Sequence, residues 1–259
     1  MKKVITLLAA CFVLASFVPQ AAAGPRKPSP NKPETRGYDI SGNYSKVRVE
    51  STFEVIVSDT VSQAMVTIKS SAHENVSVTV EDGVLRIALT GRPKLKERPQ
   101  AIIPPNAHLQ EIFVTGASSF STPYTISADE VKVDVGDASK FCGNLAAKKV
   151  VIDLSGASRF EGSVETGKID YVSRGASTAL ITGSAFVQML LDMTEASDLD
   201  GKNFEAKRIK GSMDGASSAL INCSHSLRVD VRDASTLIYG GDPREIDCPF
   251  QAPAVVRHR

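Results

Sequence analysis

From Tyr38 onward, apolar and polar residues alternate. Val47 and Val49 alternate with charged residues, and Phe53, Val55 and Val57 continue the pattern. Val76, Val78 and Val80 lead into Glu81-Asp82-Gly83, and Leu85, Ile87 and Leu89 follow. Alternation of period two predicts half-buried strands, and an Asp-Gly pair between two such runs predicts a hairpin. Arg92 to Pro99 breaks the pattern with basic residues flanked by proline, and reads as a solvated loop.

Further along, the alternation acquires a second, longer period. An Ala-Ser pair preceded by Gly, Asp or Glu stands at Ala117-Ser118, Ala138-Ser139, Ala157-Ser158, Ala176-Ser177, Ala196-Ser197, Ala216-Ser217 and Ala234-Ser235. Successive alanines are 21, 19, 19, 20, 20 and 18 residues apart. The flanks repeat too. Three residues before each alanine stand Val114, Val135, Leu154, Ser173, Met193, Met213 and Val231, and three after it stand Phe120, Phe141, Phe160, Ala179, Leu199, Ala219 and Leu237. A unit this short is half a propeller blade, has no helical period, and lacks the Leu/Asn framework of a leucine-rich repeat. It predicts an all-β chain: a right-handed parallel β-helix (β-solenoid) of about seven coils of ~20 residues, spanning ~34 Å at strand spacing. Gly143, Gly162, Gly183 and Gly201 mark a second bend in several repeats.

The residue before each alanine needs a turn conformation with positive φ, which Gly adopts freely and Asp tolerates; Glu195 fits poorly there. Alanine is expected to face inward at the corner, so that Ala157→Leu would overpack it by ~1–3 kcal/mol. The seven serines are expected to bond to the turn backbone or to the next serine, forming a structural ladder. A catalytic serine would need one activated hydroxyl with a base beside it, and no Gly-x-Ser-x-Gly elbow is present. The acidic corners Asp137, Glu195 and Asp233 fall in non-adjacent repeats, which does not suit a calcium cage.

Composition narrows the function. Apolar residues make up 42% and the formal net charge is +1, so the chain has no electrostatic footprint for nucleic acid. It contains no Trp, which counts against a site that stacks flat rings on sugars or bases. His73, His108, His225 and His258 are scattered as surface or loop residues without metal-ligand spacing. Lys148, Lys149, Lys168, Arg174, Lys207 and Arg208 have no converging acidic partner. No catalytic residue, metal or cofactor is therefore expected, and the chain reads as a non-enzyme.

The N-terminus sets the destination. Residues 1–23 combine Lys2-Lys3, an apolar run and Ala21-Ala22-Ala23, the pattern of a secretory signal peptide. Leu8-Ala9-Ala10-Cys11 offers lipoprotein processing as the rival reading. Residues 24–36 form a proline- and lysine-rich linker, 37–105 an N-terminal β region, 106–240 the repeats and 241–259 a tail or cap. An oxidising compartment permits a bridge, with Cys223–Cys248 the pairing that would pin the tail to the last coils, although three thiols without a bridge suit the sequence equally.

Three stretches, VRVESTFEVIV (47–57), VSVTVEDGVLRIAL (76–89) and LQEIFVTGASSF (109–120), together with the run of Gly-Ala-Ser corners, resemble the auto-transporter adhesin head (GIN) domain family common in Bacteroidetes-type bacteria. The resemblance spans roughly Tyr38 to Tyr239 and implies a β-helical exported protein with an adhesin role; its motif positions are scaffold, so it carries over no catalytic residue. Asp137, Glu195 and Asp233 depart from its glycine. No barrel-forming stretch follows Tyr239, so surface display would need a separate route. The expected function is a non-enzymatic binding or adhesion module in the periplasm or on the cell surface. It would present an outward face (Lys132, Asp134, Asp153, Asp170, Asp192, Asp230, Arg232) to envelope or host polysaccharide or protein. The alternatives are a polysaccharide-active parallel β-helix enzyme and a self-associating envelope protein.

Overall fold

A computed structural model describes residues 32–259. The segment read as a signal peptide, Cys11 and most of the segment read as a linker lie outside the described residues. Ordered structure nevertheless begins inside the segment read as linker. Strand β1 (Pro33–Tyr38) pairs antiparallel with β4 (Ala64–Lys69), Glu34 opposite Ile68 and Arg36 opposite Val66. Its backbone hydrogen bonds are what the proline count concealed.

The repeats form a three-sided parallel solenoid. Long strands β9 (Ser119–Val135), β10 (Lys140–Leu154), β11 (Arg159–Ser173), β12 (Thr178–Met193), β13 (Asp198–Met213) and β14 (Ser218–Val231) each begin after one corner and end before the next. Successive strands pair in parallel, so equivalent residues stack: Val133, Ile152, Tyr171, Leu191, Gly211 and Val229 make one inward column. The solenoid continues at both ends. β15 (Thr236–Gly240), β16 (Glu245–Asp247) and β17 (Val255–His258) extend it, so residues 241–259 form a further layer.

The N-terminal region belongs to the stack as well, out of chain order. β2 (Lys46–Val49) and β3 (Glu54–Val57) lie between β6 (Val84–Leu89) with β7 (Gln100–Ile103) on one side, and β8 (Glu111–Val114) with the start of β9 on the other. β4, a 3₁₀ turn (Ser70–Asn75) and β5 (Val76–Glu81) run back antiparallel across β7 and β6. This reversed layer covers Leu85, Ile87, Ala101 and Ile103, all buried. The Asp82-Gly83 hairpin between β5 and β6 forms as the sequence predicts, with φ of 50° and 74°.

Corner geometry corrects the alanine reading. Asp137, Gly156, Gly175, Glu195, Gly215 and Asp233 all have φ between 52° and 78°. A Cβ on Gly175 would lie 2.5 Å from the carbonyl oxygen of Gly156, so stacked corners run backbone on backbone. Six of the seven alanines are exposed and Ala117 is half-buried, whereas every corner serine is buried. Ala157 therefore does not fill the corner, and Ala157→Leu would project into solvent. The parity of the flanking columns explains the inversion: Val135, Ser139 and Phe141 are separated by even steps and share the inner side, and Ala138 does not.

Inward volume is balanced within each strand. Phe141 and Phe160 stack at 5.2 Å, and Phe120 lies 5.9 Å from Phe141. Two residues beyond Phe141 and Phe160 stand Gly143 and Gly162; a Cβ on Gly143 would come 3.1 Å from the Phe141 ring. Where the first position is Ala179 or Ala219, the second is Ile181 or Ile221, both buried. Gly183 does not share the column of Gly143 and Gly162: it pairs with Val164 and Phe204 in the middle stretch of the coil, where a Cβ would meet the Val164 carbonyl at 2.4 Å.

Candidate binding face

The serine row offers no reactive site. Ser118, Ser139, Ser158, Ser177, Ser197, Ser217 and Ser235 are sealed inside the corner. A hydroxyl ladder exists only in part: Ser217 Oγ donates to Ser235 Oγ at 3.1 Å, and Ser139 Oγ accepts from the Ser118 N–H at 3.1 Å. The Ser118, Ser158, Ser177 and Ser197 hydroxyls have no protein partner. The continuous ladder is backbone instead: Ala176, Ala196, Ala216 and Ala234 N–H groups donate to Gly156, Gly175, Glu195 and Gly215 at 2.7–2.9 Å. Deeper in, the Tyr171 and Ser173 hydroxyls also lack partners, and burial pushes the Tyr171 phenol far above its ordinary value.

Cys142, Cys223 and Cys248 are all free, so the Cys223–Cys248 bridge is not formed. Cys223 sits in an inner column beside Ala206, its Sγ 3.2 Å from the Ser226 carbonyl. The Cys248 Sγ faces the Leu227 carbonyl at 3.9 Å. Burial raises both thiols above their usual range. His73 also departs from its expected surface position. It is buried in the N-terminal lid, bonded to Tyr38 Oη at 3.0 Å and to the Glu34 carbonyl at 2.8 Å. Among the described residues, no three His, Cys, Asp or Glu side chains come close enough to hold a metal.

The outward positions stand where alternation puts them. On the side preceding the corner, Arg48, Phe113, Asp134, Asp153, Val172, Asp192, Ser212 and Asp230 form one in-register outer column. Lys132, Asp170, Leu190, Lys210 and Arg228 fall in the column beside it, and Arg232 at the rim. Most charges are paired. Arg174 holds Asp153 at 3.1 Å, and Lys149 holds Asp170 at 3.1 Å and Glu130 at 3.2 Å. These exposed pairs add ~0–1 kcal/mol each and leave the face electrically quiet. Asp134 is half-buried, and that burial, reinforced by Asp153 stacked next to it, raises its carboxyl above the ordinary range. The cations Arg48 and Lys132 lie 4.6 and 5.5 Å from the Phe113 ring centre.

The β12 coil breaks this pattern, and β14 carries an extra residue at the same bend, between Cys223 and Leu227. Between Ala185 and Met189, β12 carries one residue more than β11 and β13. Such a bulge re-aims side chains, and here Phe186 stands 66% exposed with its ring over Gly167. Four residues on, Leu190 is 42% exposed among the charged columns. Beside Phe186 opens a groove of about 480 Å³ lined by Ser184, Glu205, Lys207, Ser224, His225 and Arg244. Beside Leu190, a shallower recess of about 360 Å³ is bordered by Asp170, Asp192, Lys210 and Ser212. Gly211 deepens it: in a core column, its chain runs so close to Leu191 that a Cβ would lie 1.6 Å from that carbonyl. Sequence reasoning missed Phe186 and Leu190. The signal was the unalternating run Ala185 to Leu191 (AFVQMLL) in the coil where the spacing lengthens from 19 to 20.

A parallel solenoid with sealed corners and a displayed aromatic bulge defines a repeat scaffold of stacked coils with extended side faces. The chain belongs to the family described as "Putative auto-transporter adhesin, head GIN domain", whose profile matches residues 43–243. A Parabacteroides distasonis structure described as a "putative adhesin" is similar over 88% of this chain and 98% of its own, with TM-score 0.76 and 19% identity. A Parabacteroides merdae "putative adhesin" gives TM-score 0.79 at 16% identity over 88% and 96%. A second Parabacteroides distasonis protein, described as a "putative lipid binding protein", gives 0.72 at 14% over 86% and 96%. At these identities the likeness is one of fold. No curated protein sequence matches the chain. No helix among the described residues is long and apolar enough to cross a membrane.

Proposed function

We propose that this chain is a non-enzymatic binding or adhesion module of the bacterial cell envelope that holds a polysaccharide or protein partner along the β12 coil. The observation that carries the reading is Phe186, a large aromatic displayed on a bulge beside a polar groove. Interfaces combine an apolar centre with a polar rim, and aromatic residues anchor them. Phe186 and Leu190 supply the centre; Glu205, Lys207, His225, Arg244, Asp170 and Lys210 supply the rim. A single Phe suits the edge or apolar face of a sugar as well as a peptide side chain. An adhesin family fits an exported or cell-surface protein, and the "putative adhesin" descriptions of the structural neighbours support attachment as the role.

The test runs in two stages. Protease shaving of intact cells, with periplasmic markers as controls, separates surface from periplasm. The purified chain and a Phe186→Ser/Leu190→Ser variant are then compared on arrays of envelope and host glycans and matrix proteins. Binding by the native chain that is lost in the variant, at unchanged far-UV circular dichroism, supports the reading. Equal binding by both would sink it.

A further inference from the structure

The two ends of the solenoid differ. At the N-terminal end, the reversed layer β4 to β5 closes the core. At the C-terminal end, no layer lies beyond β16 and β17 among the described residues. Ile246 stacks in register on Leu227, and Phe250 bridges to Val231. Leu227 and Val231 are wholly buried, but Ile246 and Phe250 are 53% and 54% exposed. They are core residues lacking only a neighbouring coil. β16 and β17 each pair on one side, with β14 and β15, and leave the opposite edge open. An uncapped repeat end with bare strand edges is a template for further pairing.

Charge identifies the occupant. β16 carries Glu245 and Asp247, whereas β17 carries Arg257. Asp247 and Arg257 are exposed, and neither has an ion-pair partner among the described residues. A two-fold axis through the corner between these strands lays β16 of one copy antiparallel on β17 of the other. The acidic strand then meets the basic strand twice, and both apolar ends are covered. We propose that this end is an isologous interface with a second copy of this chain, C-terminal end to C-terminal end. Its residues are distinct from those of the β12 site, which lies on the side of the stack and reaches this end only at Arg244, the residue before β16.

Sedimentation velocity on the full chain purified from an exporting host tests the interface, alongside circular dichroism to report the fold. The native chain should dimerise, and Ile246→Lys/Phe250→Asp should be monomeric with unchanged β signal. Asp247→Arg and Arg257→Asp should each weaken the dimer at least about tenfold, and an equimolar mixture should recover it, because each then offers what the other lacks. A native chain that stays monomeric at ~100 μM, as when another segment or protein caps this end, overturns the proposal. So do charge reversals without effect, or a mixture no better than its components.

Discussion

Asp137 Oδ2 accepts a 2.8 Å hydrogen bond from the backbone N–H of Gly116, one corner away. Both residues have positive φ, 60° and 68°, so the carboxylate ties the first two corners together while its own backbone holds the left-handed turn. Asp is among the few side chains that tolerate that conformation. Asp137→Ala should lose both contributions and cost ~1–2 kcal/mol, whereas Asp137→Gly should lose only the bond. Urea unfolding distinguishes them; equal midpoints for the two variants would refute the account.

Glu195 occupies the equivalent place with φ 62° and makes no side-chain hydrogen bond or ion pair among the described residues. It bears the conformational cost without the compensation. Glu195→Gly should therefore stabilise the chain by up to ~1 kcal/mol, seen as a higher Tm. A lower Tm would show that its side chain contributes something beyond the corner.

The corner serines divide into two groups. Ser177 Oγ is buried without a partner, so Ser177→Ala should be neutral or stabilising, because no hydrogen bond is lost with the hydroxyl. Ser217→Ala breaks the bond to Ser235 and should cost ~1 kcal/mol. Thermal unfolding of both variants checks the order, and the reverse order contradicts it.

Inner volume should behave reciprocally. Ala179→Phe alone overpacks a column already filled by Ile181 and should cost ~1–3 kcal/mol. Adding Ile181→Gly recreates the Phe-Gly pairing of Phe160 and Gly162 and should recover part of the loss. Additive destabilisation in the double variant would rule out coupling between the two positions.

The first strand, paired along its length with β4, is fastened in part by a charge that acid removes. Hydrogen bonds from Arg36 and Ser70 lower the Glu34 carboxyl to about 2. Its contribution is present above the unfolded value of 4.5 and is lost as pH falls toward 2. Hydrogen exchange should find β1 protected at pH 6 and its protection falling below pH 4, with Glu34→Gln less protected than the native chain at pH 6 and insensitive to the same acid range. Uniform opening of β1 and the solenoid together would argue against a local effect.

Much of this architecture could be read from the chain because a stacked coil assigns one residue type to one column. Valine, phenylalanine and serine recurring at fixed offsets state the stacking directly, and the parity between Val135, Ser139 and Phe141 even held the correct orientation of the corner. The interleaving of β2 and β3 was hidden because Val47 and Val55 alternate identically whichever strands flank them. The β12 site was hidden for the opposite reason: Phe186 departs from the repeat by a single inserted residue, and its display depends on the backbone around Gly167.

That interleaving has a consequence for biogenesis. A solenoid laid down in chain order can close each turn as it emerges, but residues 46–57 cannot be enclosed until residues 84–103 and 111–121 have arrived on either side. Their contacts are distant in sequence and slow to form. The β2–β3 layer thus waits for partners that are complete only at residue 121, whereas each later coil needs only the one before it.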